Sequence, residues 1–228
     1  MKKVRLFVLA VGMALGVAGL GAADARAEVG ATLKVGTLGV GADVTVGLVE
    51  QLNARVNLNY FSYSTTVTGD KNDDGSESGS LSPKLTLMTV GGLLDWHPFS
   101  QGFRISAGAY LNKNKIDLTA DVKGTVDIDD KEYTLSDIGG TVDFKSLAPY
   151  VGLGYGNAAG ENGNWHFSFD LGVLFSGSPR VSLHATASDP SVQAQLDQSI
   201  AEEVKNTEDD MSVFTMYPVL SLGVSYRF

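Results

Sequence analysis

The chain has 228 residues, no cysteine, 27 glycines, 6 prolines and a formal net charge of −9. The length suits one domain, or one domain behind a processed leader. The missing cysteine excludes a disulfide scaffold, a zinc–cysteine centre and an iron–sulfur cluster, and the acidic balance argues against nucleic acid as a partner, because binding a phosphate backbone needs a basic face.

Residues 1–27 read as a cleaved signal peptide. Met1 to Arg5 is cationic, Leu6 to Leu20 is apolar, and Ala25-Arg26-Ala27 offers small residues at the −3 and −1 positions of a peptidase site. The apolar run is shorter and richer in Gly than a spanning helix, which needs ~20 apolar residues. The whole chain carries 17 basic and 26 acidic residues; removing Lys2, Lys3, Arg5, Arg26 and Asp24 leaves 13 and 25. The predicted mature domain, 28–228, is therefore acidic, exported and free of thiols.

Period-2 alternation runs through 28–228 and predicts strands in chain order. Val29, Ala31, Leu33 and Val35 give an odd apolar face, and from Leu38 to Leu48 the apolar face is even. A two-residue turn at Gly36-Thr37, pairing Val35 with Leu38, produces that phase switch; one long strand bulged at Gly36 is the other reading. Further strands are expected over 54–67, 84–97, 103–117, 144–156, 164–176 and 212–228, with that at 38–49 counted among them. In 84–97 the even positions, Trp96 included, go outward and Asp95 inward, because a Trp beside a short turn reads as an interfacial residue. The run Trp165 to Phe175 is the clearest: Trp165, Phe167, Phe169, Leu171, Val173 and Phe175 oppose His166, Ser168, Asp170, Gly172 and Leu174. A polar face of Gly, Ser and Asn suits a tight lumen, and a large apolar face suits lipid.

The longer connections are polar. In 118–143, Thr125 to Ile128 is expected to pair back near Glu132 to Leu135. In 177–211, Asp189-Pro190 starts a helix, with Asp as N-cap and Pro at the first helical position. Its stripe is Val192, Leu196, Ile200 and Val204, read either as a cap on the rim or as a surface for a partner helix.

The final strand alternates Leu220, Leu222, Val224, Tyr226 and Phe228 with Ser221, Gly223, Ser225 and Arg227. Signal peptide, alternating strands and a terminal Phe with Tyr two residues before together resemble the small bacterial outer-membrane β-barrels of the OmpA and OmpW type. The resemblance implies an all-β fold: an eight-stranded antiparallel transmembrane up-and-down barrel with a short helix in the last external loop. It implies residence in the outer membrane beside lipid and lipopolysaccharide, with Tyr226 and Phe228 as the signal read by the barrel-assembly machinery. The short connections 50–53, 98–102 and 157–163 would then be periplasmic. The function expected is non-enzymatic, in envelope integrity or surface structure; the alternative is a narrow porin-like or OmpW-like channel for small solutes.

Four places are candidates for chemistry. Asp70, Asn72 and Asp74, followed by Gly75, match the opening of a calcium loop, where oxygens at alternate positions wrap the ion. Position twelve is Leu81, not Glu, so the readings are weak Ca2+ binding or an acidic surface loop, and no other cofactor is expected. His166, Ser168 and Asp170 are triad residue types on one strand face, but alternate residues there stand about 7 Å apart, too far for a relay. His97 and His184, near a turn and in a loop, add nothing to it. Arg55, Asp95, Arg104, His166 and Arg227 are expected to point into the lumen near the short turns, with Asp43 and Asp170 further in. They make either a salt-bridged plug, with Asp95 paired to Arg104, or a charged selectivity ring. Inward glycines, Gly152 and Gly172 among them, either open a channel or make room for Tyr110 and Tyr150.

Overall fold

The structure, a computed structural model, describes residues 28–68, 79–99, 102–122, 125–128, 131–159, 165–213 and 215–228. The predicted leader 1–27 and the calcium-type residues Asp70, Asn72 and Asp74 lie outside the described residues. In chain order the strands are β1 (Val29–Gly36), β2 (Gly39–Val49), β3 (Leu52–Ser64), β4 (Val67–Thr68), β5 (Gly79–Trp96), β6 (Phe103–Asn112) and β7 (Lys115–Val122). They continue as β8 (Thr125–Ile128), β9 (Lys131–Asp143), β10 (Leu147–Tyr155), β11 (Trp165–Phe175), β12 (Arg180–Ala187) and β13 (Met216–Arg227). Between β12 and β13 lie a 3-10 turn, Pro190–Val192, and helix α1 (Gln193–Met211).

Eight of these strands close into a ring. The pairings run β1 to β2, β3, β5, β6, β10, β11 and β13, all antiparallel, and β13 returns to β1 with Leu33 opposite Val224. Closure leaves the ring without a free edge. Alternation then decides the rest. Inward residues such as Asn53, Arg55, Asn57 and Asn59 on β3 are buried, while their outward neighbours Val56 and Tyr60 are exposed. β5 obeys the same rule, with Leu93 and Asp95 buried and Leu94 and Trp96 exposed. The outward face is apolar around the ring, and Phe167 is 83% exposed and Trp165 70%. Aromatic side chains crowd its turn end: Trp165 stacks edge-on to Tyr226 at 4.9 Å, and Tyr226 to Phe228 at 5.3 Å.

The first hairpin differs from expectation by one residue. Gly36 pairs with Gly39 and Val35 with Val40, so the turn is Thr37-Leu38. Leu38 therefore leaves the outward row and is buried with Leu93, Leu174 and Val219. Tyr217 Oη donates to the Thr37 carbonyl at 2.6 Å, which anchors the shifted turn.

Above the ring, half of the wall keeps rising. The strand expected over 103–117 is two, β6 and β7, interrupted at Lys113-Asn114. Asn112 Oδ1 accepts the Asn114 amide at 3.1 Å, and Asn114 Oδ1 accepts the Met88 amide at 2.9 Å, so asparagine side chains replace ladder bonds at the break. The register along β5 is kept, with Thr89 opposite Asn112 and Thr86 opposite Lys115. β9 and β10 are interrupted at the same level. What the sequence suggested were loops is thus a wall of β5, β7, β9 and β12. The local hairpin is there, with Thr125 opposite Thr134. His184 sits on β12, not in a loop, 3.7 Å from Asp137.

Helix α1 closes the open side of this wall. Asp189 accepts the Ser191 amide at 2.9 Å and so caps the 3-10 turn Pro190–Val192 that leads into α1; the N-cap position of α1 itself is Val192, which offers no side-chain cap. Leu196 is fully buried against Tyr133, Leu135, Ala185 and Ala187, with Val192 and Ile200 beside it. The helix also serves the edge of β12: Glu208 accepts the Val181 amide, and Gln193 both accepts the Ala187 amide and donates to the Ala185 carbonyl. Those backbone groups would otherwise be an unpaired sheet edge.

Candidate functional site

The interior of the ring fills in three layers. At the end of the short turns, residues 156–159 fold inward instead of looping away. Asn53 Nδ2 donates to Asn157 Oδ1 at 3.0 Å and contacts His97 Nε2 at 3.2 Å, and Ala158 and Ala159 are buried. Gly156 turns the chain with φ +109°, and its amide donates to the Gly102 carbonyl at 2.7 Å. Gly30 makes room for this turn: a Cβ there would stand 2.1 Å from the Ala158 carbonyl oxygen. Replacing Gly30 by Val should therefore expel the turn. Because the chain has no cysteine of its own, Ala158→Cys reports this cleanly. The thiol should resist a water-soluble maleimide in the parent and react in the Gly30→Val background; equal labelling in both would show that the turn is not held inside.

The middle layer is ionic and balanced. Arg55, 4% exposed, is the hub: its Nε lies 2.8 Å from Asp95, and its Nη1 lies 3.3 Å from both Asp43 and Asp170. Lys34 pairs with Asp43 at 2.8 Å, and Arg104 with Asp170 at 2.7 Å. Ser106 donates to Asp95 at 2.5 Å and Ser221 to Asp170 at 3.2 Å, so each carboxylate also has a second kind of partner or a second cation. Three cations face three anions. Burial of charge is tolerated when every group is paired in this way.

The third layer is uncharged. Asn57 donates to the Tyr110 hydroxyl at 2.9 Å, and Asn59 to Thr89 at 3.0 Å. Tyr110 and Tyr150 meet edge-on at 5.4 Å. The Tyr150 hydroxyl lies over Gly152 and Gly172, where an added Cβ would come within 2.3 and 2.5 Å of it. Inward glycines are thus filled by tyrosine. With Leu38, Leu93, Leu174 and Val219 around them, the rings shut the wall end of the interior.

Among the sequence candidates, Arg55, Asp95, Arg104, Asp43 and Asp170 are brought together, but not in the expected pairs. Asp95 faces Ser106 in register, so its cation is Arg55 and not Arg104. Arg104 turns the other way. Gly154 stands between Arg104 and Asp170 in register on both sides, and the guanidinium lies across that side-chain-free position to reach the carboxylate. It also donates to the Gly156 carbonyl, which ties the ionic layer to the inward turn. Arg227 is outside the network, 3.6 Å from Glu28 at the mouth, and His166 is half-buried nearby. Of the row His166, Ser168 and Asp170, Asp170 is taken up by Arg55, Arg104 and Ser221. Lys34 was missed; it stands opposite the odd apolar face of β1, where alternation already pointed it inward.

Among the described residues a cavity of ≈ 10 Å³ lies beside Arg55, His97 and Arg104. That is room for about one water molecule.

The chain shares its fold with two proteins of Acinetobacter baumannii. CarO2 superposes with a TM-score of 0.55 at 22% identity, covering 89% of this chain and 99% of that one. CarO gives 0.54 at 22%, covering 88% and 98%. No protein-family model matches the sequence, and no curated protein matches it.

Proposed function

We propose that the chain is an outer-membrane β-barrel protein with a sealed interior, serving envelope structure rather than solute passage. It resides in the bacterial outer membrane as an eight-stranded up-and-down barrel with no catalytic role. The short turns face the periplasm, and the tall wall with α1 faces outward. The outward apolar belt supports the membrane reading: Leu33, Val56, Leu111, Leu153, Phe167 and Leu222 would otherwise stand in water all round the ring. The aromatic group at Trp96, Trp165 and Tyr226 fits a membrane interface. Among the described residues no helix is long and apolar enough to cross a membrane.

The observation that carries the sealed-interior reading is the ≈ 10 Å³ cavity between an inward-folded turn and the Tyr110–Tyr150 pair. Refolded protein in a planar bilayer should give no unitary current above the lipid baseline. Reproducible steps that scale with protein and vanish on heat denaturation would sink this reading in favour of the narrow channel.

A further inference from the structure

On its outer face the tall wall changes character within two residues per strand. The outward row Leu58, Val90, Leu111 and Leu147, joined by register, is apolar. One step up stand Tyr60, Met88 and Lys113. The next row is Ser62, Thr86, Lys115, Asp143 and Arg180, and the next Ser64, Lys84, Asp117, Thr141 and Ser182. Lys113 and Lys145 lie in the breaks between these two ladders.

Five of the 13 basic residues in 28–228 lie in this band, in a chain whose net charge is −9. Lys115 pairs with Asp117 at 2.9 Å, and Arg180 pairs with Asp143 at 2.5 Å. The hydrogen bond from Lys115 holds the Asp117 carboxyl below its usual range. Lys84, Lys113 and Lys145 form no ion pair among the described residues, although Lys84 stands opposite Asp117 and acts on it through space; the described band holds five cations against the two carboxylates Asp117 and Asp143. Within it is a groove of ≈ 420 Å³ lined by Ser64, Thr65, Thr66, Ser82, Lys84, Asp117 and Thr119. Five hydroxyls, one ammonium and one carboxylate line a space of saccharide size.

We propose that this groove and band bind the headgroup of an anionic, phosphorylated glycolipid whose acyl chains lie on the apolar rows beneath. Hydroxyls and Asp117 meet sugar hydroxyls, which both donate and accept. Lys84, Lys113 and Lys145 meet phosphate as point charges. Charge complementarity and continuity with the lipid-facing rows select this occupant over a neutral sugar or a simple anionic lipid. The proposal rests on the outer-membrane reading above.

The test uses the full mature chain refolded in zwitterionic micelles, its folded state checked by heat-modifiable gel migration. Purified lipopolysaccharide, the same material after enzymatic dephosphorylation, phosphatidylglycerol and inorganic phosphate are titrated and read by native mass spectrometry. Lipopolysaccharide should bind the parent, and Lys84→Ala/Lys113→Ala should weaken it about 25-fold, from about fivefold per cation near an anionic headgroup. Dephosphorylation should weaken it similarly, and Lys205→Ala, on α1, should change nothing. Equal binding of phosphatidylglycerol, competition by inorganic phosphate alone, or undiminished binding by the folded double variant would each overturn the proposal. A parent chain that folds in water without detergent and ignores vesicles would overturn the membrane reading itself, which is a separate and recognisable result.

Discussion

Arg55→Ala should lower the stability of the folded ring by about 3–5 kcal/mol, because removing one partner of a buried ionic network leaves uncompensated charge behind. Arg55 is the hub of the ionic layer. Arg55 is the only cation within reach of Asp95 among the described residues, and it also contacts Asp43 and Asp170. Lys34 still holds Asp43 and Arg104 still holds Asp170, so the loss concentrates on Asp95, left with Ser106. Two companions separate charge from shape. Asp95→Asn in the Arg55→Ala background should recover much of the loss, since the orphaned charge is gone. Arg55→Lys should be intermediate, because a point charge cannot replace a fork that spans three carboxylates. Thermal unfolding in detergent, followed by gel migration or circular dichroism, measures all three. If Arg55→Ala melts with the parent, the network does not hold the ring together. If it also opens a bilayer current, the ionic layer is a gate, and the proposed sealed role gives way to a channel.

Leu196→Ala should cost about 2–5 kcal/mol, the range for emptying a fully buried leucine site, but the loss should appear in a different place. Leu196 belongs to the small core under α1, with Tyr133, Leu135, Ala185 and Ala187, which shares no residue with the ring-interior cluster around Leu174 and Tyr110. Two cores that share no contacts give largely independent losses. The variant should therefore expose the 193–211 segment to protease on intact cells or in micelles, while the ring keeps its heat-modifiable mobility. Cleavage there would also release the β12 edge, because Glu208 and Gln193 would no longer accept the Val181 and Ala187 amides. A single, global loss of folded protein would show instead that wall and ring unfold as one unit.

Much of this architecture is legible residue by residue. Alternation is a property of one strand at a time, and it is enforced wherever one face is buried and the other is not. It placed Arg55, Asn57, Asp95, Arg104 and Asp170 inward and Val56, Trp96, Phe167 and Leu222 outward without any knowledge of neighbours. The Asp189-Pro190 start of the helical segment and the Thr125 to Ile128 hairpin are local too, since their hydrogen bonds close within a few residues.

Pairing across strands was not legible in that way. Asp95 and Arg104 flank one turn and looked like partners. Their partners are instead set by register and by an empty position: Ser106 stands opposite Asp95, and Gly154 opens the path from Arg104 to Asp170. The wall above the ring escaped for a related reason. Its strands have modest alternation; β7, β9 and β12 become strands by continuing ladders begun at β5 in the ring, and β9 and β12 also bury a face under α1. The one-residue shift at Thr37-Leu38 likewise follows from what waits inside, an apolar site among Leu93, Leu174 and Val219 that takes Leu38. Facing depends on the nearest covalent neighbours, so the sequence by itself determined it. Register, partner choice and the sealing of the interior depend on which side chains are missing on the adjacent strand, and only the closed ring decides that.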